Sequence, residues 1–138
     1  MPEPLLIPVP ERVAIVACNT CRLDAARRED AAGVRGGARL VEALRAVQAE
    51  PRYEGVAVEE MPCLFACQAH CTVHLRAPGK VGYVLGGFAP DAAAARAIMD
   101  YAVRYAASEA GQVPFREWPD GVKGHFLTRT PPAGYLVA

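Results

Sequence analysis

No lysine- or arginine-rich block appears anywhere in this chain of 138 residues. Its fifteen basic and fifteen acidic residues cancel, and only four lysines or arginines follow position 100. The basic footprint of a nucleic-acid or anionic-membrane binder is therefore missing. No window approaches the ~18 apolar residues of a membrane-spanning helix. The opening MPEPLLIPVPER is broken by four prolines and carries acid where a leader would carry positive charge, so no secretory signal is expected. The Ser/His/Asp and paired-carboxylate sets of hydrolases are absent beside the cysteines. Gly86-Gly87 lacks the G-x-x-x-x-G-K-S/T pattern of a phosphate loop and reads as a turn. There is no internal repeat. An even cysteine count is lacking too, since five cysteines cannot close a disulfide framework. These absences describe a soluble cytoplasmic protein, and there clustered cysteines mean metal or redox chemistry more often than structural disulfides.

The length suits one domain with its own core. Residues 1–11 read as an extended, proline-punctuated arm, residues 12–111 as the domain, and residues 112–138 as an irregular tail packed on it. Arg12 to Ala17 is a β-branched run ending at Cys18, which suits a central strand buried on both faces. Asn19 to Gly37, charged and glycine-punctuated, reads as a loop. Ala38 to Glu50 places Leu40, Val41, Leu44 and Val47 on one helical stripe, stopped by Pro51. Gly55 to Met61 alternates as a second strand, and a strand-helix-strand order implies a parallel pair. Cys71 to Arg76 and Val81 to Leu85, split by Pro78-Gly79, read as an antiparallel hairpin. Pro90 and Asp91 open a second helix, with Ala94, Ile98, Tyr101, Ala102 and Tyr105 at helical spacing towards Gly111. The order βαβββα predicts an α/β, thioredoxin-like two-layer sandwich on a four-stranded mixed sheet, in the order second, first, third, fourth. Phe115, Trp118 and Phe126 make the tail apolar enough to dock on the body.

The chemistry lies in two segments. Cys18 and Cys21 form the C-x-x-C of CNTCR, and MPCLFACQAHC, Met61 to Cys71, carries Cys63, Cys67 and Cys71. Both leave the carboxyl ends of the parallel strands, the edge where open α/β sheets bind ligands. C-x-x-C lets two sulfurs reach one metal atom from a tight turn. Cys63 and Cys67 would face the same way if their segment coils into a helical turn. Two pairs fit a 2Fe-2S cluster, one pair per iron, or a tetrahedral zinc. Leu64, Phe65 and Ala66 would shield the sulfurs, which favours electron transfer. The candidate ligands are Cys18, Cys21, Cys63 and Cys67. Cys71 is either a fifth ligand, a resolving thiol or a buried cysteine opening a strand. Arg22 is either solvated or a donor to the site. His70 reads as a turn residue before it reads as a ligand, and His74 and His125 receive no role.

CLFAC, entered from a strand and followed by a hairpin and a helix, resembles the C-L-G-x-C segment of thioredoxin-like 2Fe-2S ferredoxins, including the small subunit of the bacterial respiratory NADH dehydrogenase. That resemblance implies cluster ligands at Cys18, Cys63 and Cys67, and a homodimer. The ferredoxins' second cysteine would fall within Glu29 to Ala32, where this chain has none, so Cys21 must substitute. CNTCR, CLFACQAHCTVHLRAPGK, YVLGGFAPDAA and TRTPP together are more closely similar to an uncharacterised family of predicted metal-binding proteins, over most of residues 13 to 132. Its members are often encoded near cobalamin-synthesis genes and GTPase metallochaperones, which implies a metal or tetrapyrrole context. Three functions follow as expectations. The first is a 2Fe-2S electron carrier serving a redox partner protein. The second is a zinc-binding or metal-delivery partner of a metallochaperone GTPase. The third is a thiol-disulfide oxidoreductase using Cys18 and Cys21.

Overall fold

The computed structural model describes residues 5–66 and 68–138, so Cys67 lies outside the described residues. The first strand, β1 (Ala14–Cys18), is buried at all five positions. Ile15 and Ala17 join the main core, while Ala14, Val16 and Cys18 alternate to the other face. β2 (Ala57–Met61) pairs parallel to β1 in a register that sets Ala14 against Ala57 and Cys18 against Met61. The two strands therefore end level with each other. β3 (Val73–Arg76) runs antiparallel on β1's other side, starting at the edge where the first two strands finish. β4 (Gly82–Leu85) completes the hairpin with β3. Its turn uses Gly79 at φ 72°, a left-handed conformation that glycine adopts without steric cost.

Two helices supply the second layer. α1 (Gly36–Gln48) buries Leu40, Val41, Leu44 and Val47, as its stripe predicts. It starts two residues before the expected Ala38, because the Gly37 N–H donates to the Cys21 carbonyl at 3.1 Å. α2 (Ala92–Ala107) is opened by Asp91, whose carboxylate accepts the Ala94 N–H at 2.9 Å. It buries Ile98, Met99, Tyr101 and Tyr105 against the sheet and α1.

The sheet has five strands, where the sequence reading has four. β5 (Phe126–Thr130) pairs antiparallel with β4, giving the order β2-β1-β3-β4-β5. The tail is therefore not irregular throughout. It adds an edge strand, preceded by single 3-10 turns at Phe115–Glu117 and Asp120–Val122. Phe126 anchors that strand. Its ring lies 5.4 Å from Tyr83, 5.2 Å from Tyr101 and 4.6 Å from Trp118, and each such aromatic contact adds about 1 kcal/mol beyond the area it buries. Residues 5–11 form no helix or strand. Among the described residues no helix is long and apolar enough to cross a membrane.

Candidate functional site

The C-x-x-C turn is clamped from two sides by backbone. At the end of β1 the Cys18 N–H donates to the Thr72 carbonyl and the Asn19 N–H to the Met61 carbonyl, each at 3.0 Å, which ties the turn to both neighbouring strands. From above, the first turn of α1 presses on it so closely that a Cβ on Gly37 would lie 2.0 Å from the Cys18 carbonyl oxygen. A Cβ on Gly36 would lie 2.4 Å from that of Arg22. Only glycine fits at either place. The Thr72 hydroxyl lies 3.1 Å from the Cys21 Sγ and the Thr72 N–H donates to that sulfur at 3.4 Å. Thr72 is itself buried, so this contact fixes the Cys21 rotamer.

Among its described residues the second cysteine segment shows no helical turn, where one was expected between Cys63 and Cys67. Among its described residues Cys63 (φ 53°), Phe65 (φ 58°) and Cys71 (φ 50°) all adopt left-handed backbone, which a helix does not contain. Each such residue costs on the order of 1 kcal/mol without glycine, and conformations of this kind collect at functional sites. One effect is local: the Phe65 N–H donates to the Cys63 Sγ at 3.3 Å. Another is that Leu64 and Ala66 turn towards the C-x-x-C while Phe65 is 93% exposed. The expected shielding therefore comes from Leu64 and Ala66 and not from Phe65.

Between the segments lies a cavity of about 210 Å³. Cys18, Cys21 and Cys63 line it with Leu64 and Ala66, Thr20 and Thr72, and three arginines, Arg22, Arg28 and Arg35. Among the described residues no carboxylate lines it, so the arginines make its lining cationic. The Cys18 thiol is held far below its ordinary pKa. The largest cause is a hydrogen bond from the Cys21 thiol, joined by Thr20 and the Leu64 backbone, and together these outweigh burial. Cys21 moves the opposite way, because it keeps the shared proton and is desolvated. In the metal-free, reduced protein this is a Cys18 thiolate beside a Cys21 thiol. Iodoacetamide should therefore label Cys18 at a rate still undiminished at pH 6, where an ordinary thiol is almost wholly protonated. Peptide mapping of the alkylated chain between pH 5 and 9 checks this, and a Cys18 rate rising tenfold per pH unit across that range would contradict it.

Cys71 is separated from this group. It is fully buried, does not line the cavity, and directs its thiol to the Arg22 carbonyl at 3.5 Å. Burial pushes its pKa up to about 12, with the Cys18 charge adding to the effect. Among the described residues no group of three or more His, Cys, Asp or Glu side chains forms a metal site by itself, and Cys67 lies outside them. The donor chemistry nevertheless fits a thiolate-bound centre. Three sulfurs share one cavity, and beside them the Arg22 Nε is buried with no hydrogen-bond partner among the described residues. A buried guanidinium N–H left without an acceptor is costly, and an anionic group in the cavity would supply one.

A family model described as "Protein of unknown function (DUF1636)" matches residues 15–132. The chain belongs to that family. None of the curated proteins matches it in sequence. Among solved structures it is similar to a thioredoxin-like 2Fe-2S ferredoxin from Aquifex aeolicus, with a TM-score of 0.53 at 16% identity, over 92% of this chain and 100% of the ferredoxin chain. At that identity the likeness shows the fold, and the thioredoxin-like architecture of this DUF1636 chain is established by it.

Several residues of this candidate site carry no signal in the sequence. Thr72 reads as an ordinary residue preceding a strand, and Arg28 and Arg35 belong to what looks like a solvated charged loop. Gly36 and Gly37 read as loop glycines, and only the approach of α1 shows that they carry the contact. The histidines stay apart from the cavity. The His70 carbonyl accepts the Gly87 N–H at 2.7 Å. His74 lies within β3, and burial lowers its pKa, with Arg76 adding to the effect. His125 pairs through Nδ1 with the Gly86 carbonyl and stacks on Phe88 at 4.2 Å.

Proposed function

We propose that this chain is a small cysteine-ligated metalloprotein whose centre is a 2Fe-2S cluster held by Cys18, Cys21, Cys63 and Cys67. When bound, such a cluster accepts and returns single electrons, which would make the protein a carrier for a redox partner protein. The observation that carries the reading is the convergence of Cys18, Cys21 and Cys63 on one cavity lined by three arginines and, among the described residues, no carboxylate. A thiolate-ligated cluster is anionic and suits that lining. The protein's own residues perform the rest. Thr72 and the first turn of α1 orient the C-x-x-C, and Leu64 and Ala66 limit water at the sulfurs. The reducing cytoplasm is the compartment that keeps such thiols available. The same four thiolates would complete a tetrahedral zinc site, and a zinc centre would instead point to a metal-delivery role with a metallochaperone GTPase as partner.

A second reading is favoured by the opposite pKa shifts of the two neighbouring thiols, Cys18 lowered and Cys21 raised. A thiolate paired with a neighbouring thiol is the arrangement of a dithiol oxidoreductase. Cys63 on the same cavity weighs against it, since a dithiol enzyme does not require a third sulfur there. Anaerobic purification followed by analysis of iron, acid-labile sulfide and zinc separates the readings. We expect brown protein with iron and sulfide in equal amounts. Colourless protein with zinc moves the assignment to the second metal, and metal-free protein with a reversible Cys18–Cys21 disulfide overturns the metal reading.

A further inference from the structure

We infer that Arg22 is a positioning residue for the thiolate-bound centre, its Nε–H donating to an anionic atom of the bound group, a sulfide or a ligating sulfur. The inference rests on the metal-centre reading above. Arg22 follows Cys21 directly, and its backbone is immobilised from two directions. Its carbonyl accepts the Cys71 thiol at 3.5 Å, and it lies so close to α1 that a Cβ on Gly36 would be 2.4 Å away. Arg22 lines the cavity, and its buried Nε has no partner among the described residues. Arg35, by contrast, donates to the Thr20 carbonyl at 3.2 Å from an exposed position. A buried donor without a protein acceptor, in the wall of a cavity lined by three sulfurs, is accounted for by an acceptor that arrives with the bound group.

Donation to a cluster stabilises its more negative, reduced form and so raises the potential. Arg22→Gln removes the positive charge and the fixed donor, while Arg22→Lys keeps the charge but loses the planar guanidinium N–H. In the full-length, iron-loaded protein, with iron and sulfide per chain measured first, the reduction potential should fall in Arg22→Gln and lie between the two in Arg22→Lys. Equal potentials at equal occupancy overturn the inference and leave the metal reading standing. If the chain takes up zinc, the readout is the Arg22 Nε–H resonance, assigned by its absence in Arg22→Lys. Its solvent exchange should slow at least about tenfold on loading, as a new hydrogen bond from a guanidinium to an anionic atom requires. Unchanged exchange overturns the inference. A wild-type chain that binds neither iron nor zinc overturns the metal reading, and this inference with it.

Discussion

Gly37→Ala should destabilise the protein by about 3 kcal/mol or more and abolish metal retention, because the added methyl has nowhere to go. Its Cβ would meet the Cys18 carbonyl oxygen at 2.0 Å, the Cys21 nitrogen at 2.9 Å and the Asn19 carbonyl carbon at 3.0 Å. All three are backbone atoms, so no side chain can swing aside. Either α1 withdraws, which breaks the bond from the Gly37 N–H to the Cys21 carbonyl, or the C-x-x-C turn deforms and its sulfurs leave the cavity. Alanine's helix preference over glycine, about 1 kcal/mol, is smaller than this clash and does not rescue the variant. Gly55→Ala is the matched control, since a Cβ there meets nothing within 4 Å. Urea unfolding and metal content measured on both variants test the point. A Gly37→Ala protein within about 0.5 kcal/mol of wild type and fully loaded would show that α1 does not pack on the turn as described.

Serine at each cysteine in turn should divide the five into two classes. Cys18→Ser, Cys21→Ser and Cys63→Ser each remove a sulfur that lines the cavity, and iron and sulfide per chain should drop to a minor fraction of wild type. Cys67→Ser should join them on the strength of its place in the C-x-x-x-C pattern, although it lies outside the described residues. Cys71→Ser should keep the centre. Its thiol faces the Arg22 carbonyl, and a serine hydroxyl can make the same bond, so the cost is one of stability, about 1–2 kcal/mol for placing a more polar group in a buried site. Metal analysis of the five variants, paired with thermal unfolding, reads both quantities. Loss of the centre in Cys71→Ser alone would contradict the ligand assignment.

The features that proved legible from sequence are those governed by short-range patterning. An apolar run at Ala14 to Cys18, the stripe Leu40-Val41-Leu44-Val47 and the Pro78-Gly79 turn each report local burial or local backbone freedom. From them follow the parallel β1-β2 pair and the delivery of both cysteine segments to one sheet edge. β5 was not legible. Four of its five residues are exposed, so it has no apolar alternation, and it exists because Phe126 finds Tyr83, Tyr101 and Trp118. Likewise, the spacing of Cys63 and Cys67 suggested a helical turn, but the left-handed backbone at Cys63 and Phe65 depends on what surrounds the loop.

By itself, then, the sequence led both cysteine segments, Cys18 and Cys21 with Cys63, Cys67 and Cys71, to one end of a thioredoxin-like sheet, because strand and helix periodicity are properties of neighbouring residues; of these Cys67 lies outside the described residues. Only the tertiary structure decided which of them share a cavity and which does not. Cys71, whose part was open among ligand, resolving thiol and core residue, does not line the cavity and gives its thiol to the Arg22 carbonyl, while Thr72, Gly37 and Arg22 take up positions around the C-x-x-C. The physical reason is that a sulfur's direction depends on atoms distant in the chain: the first turn of α1 against the Cys18 carbonyl and Thr72 at the start of β3 against the Cys21 sulfur.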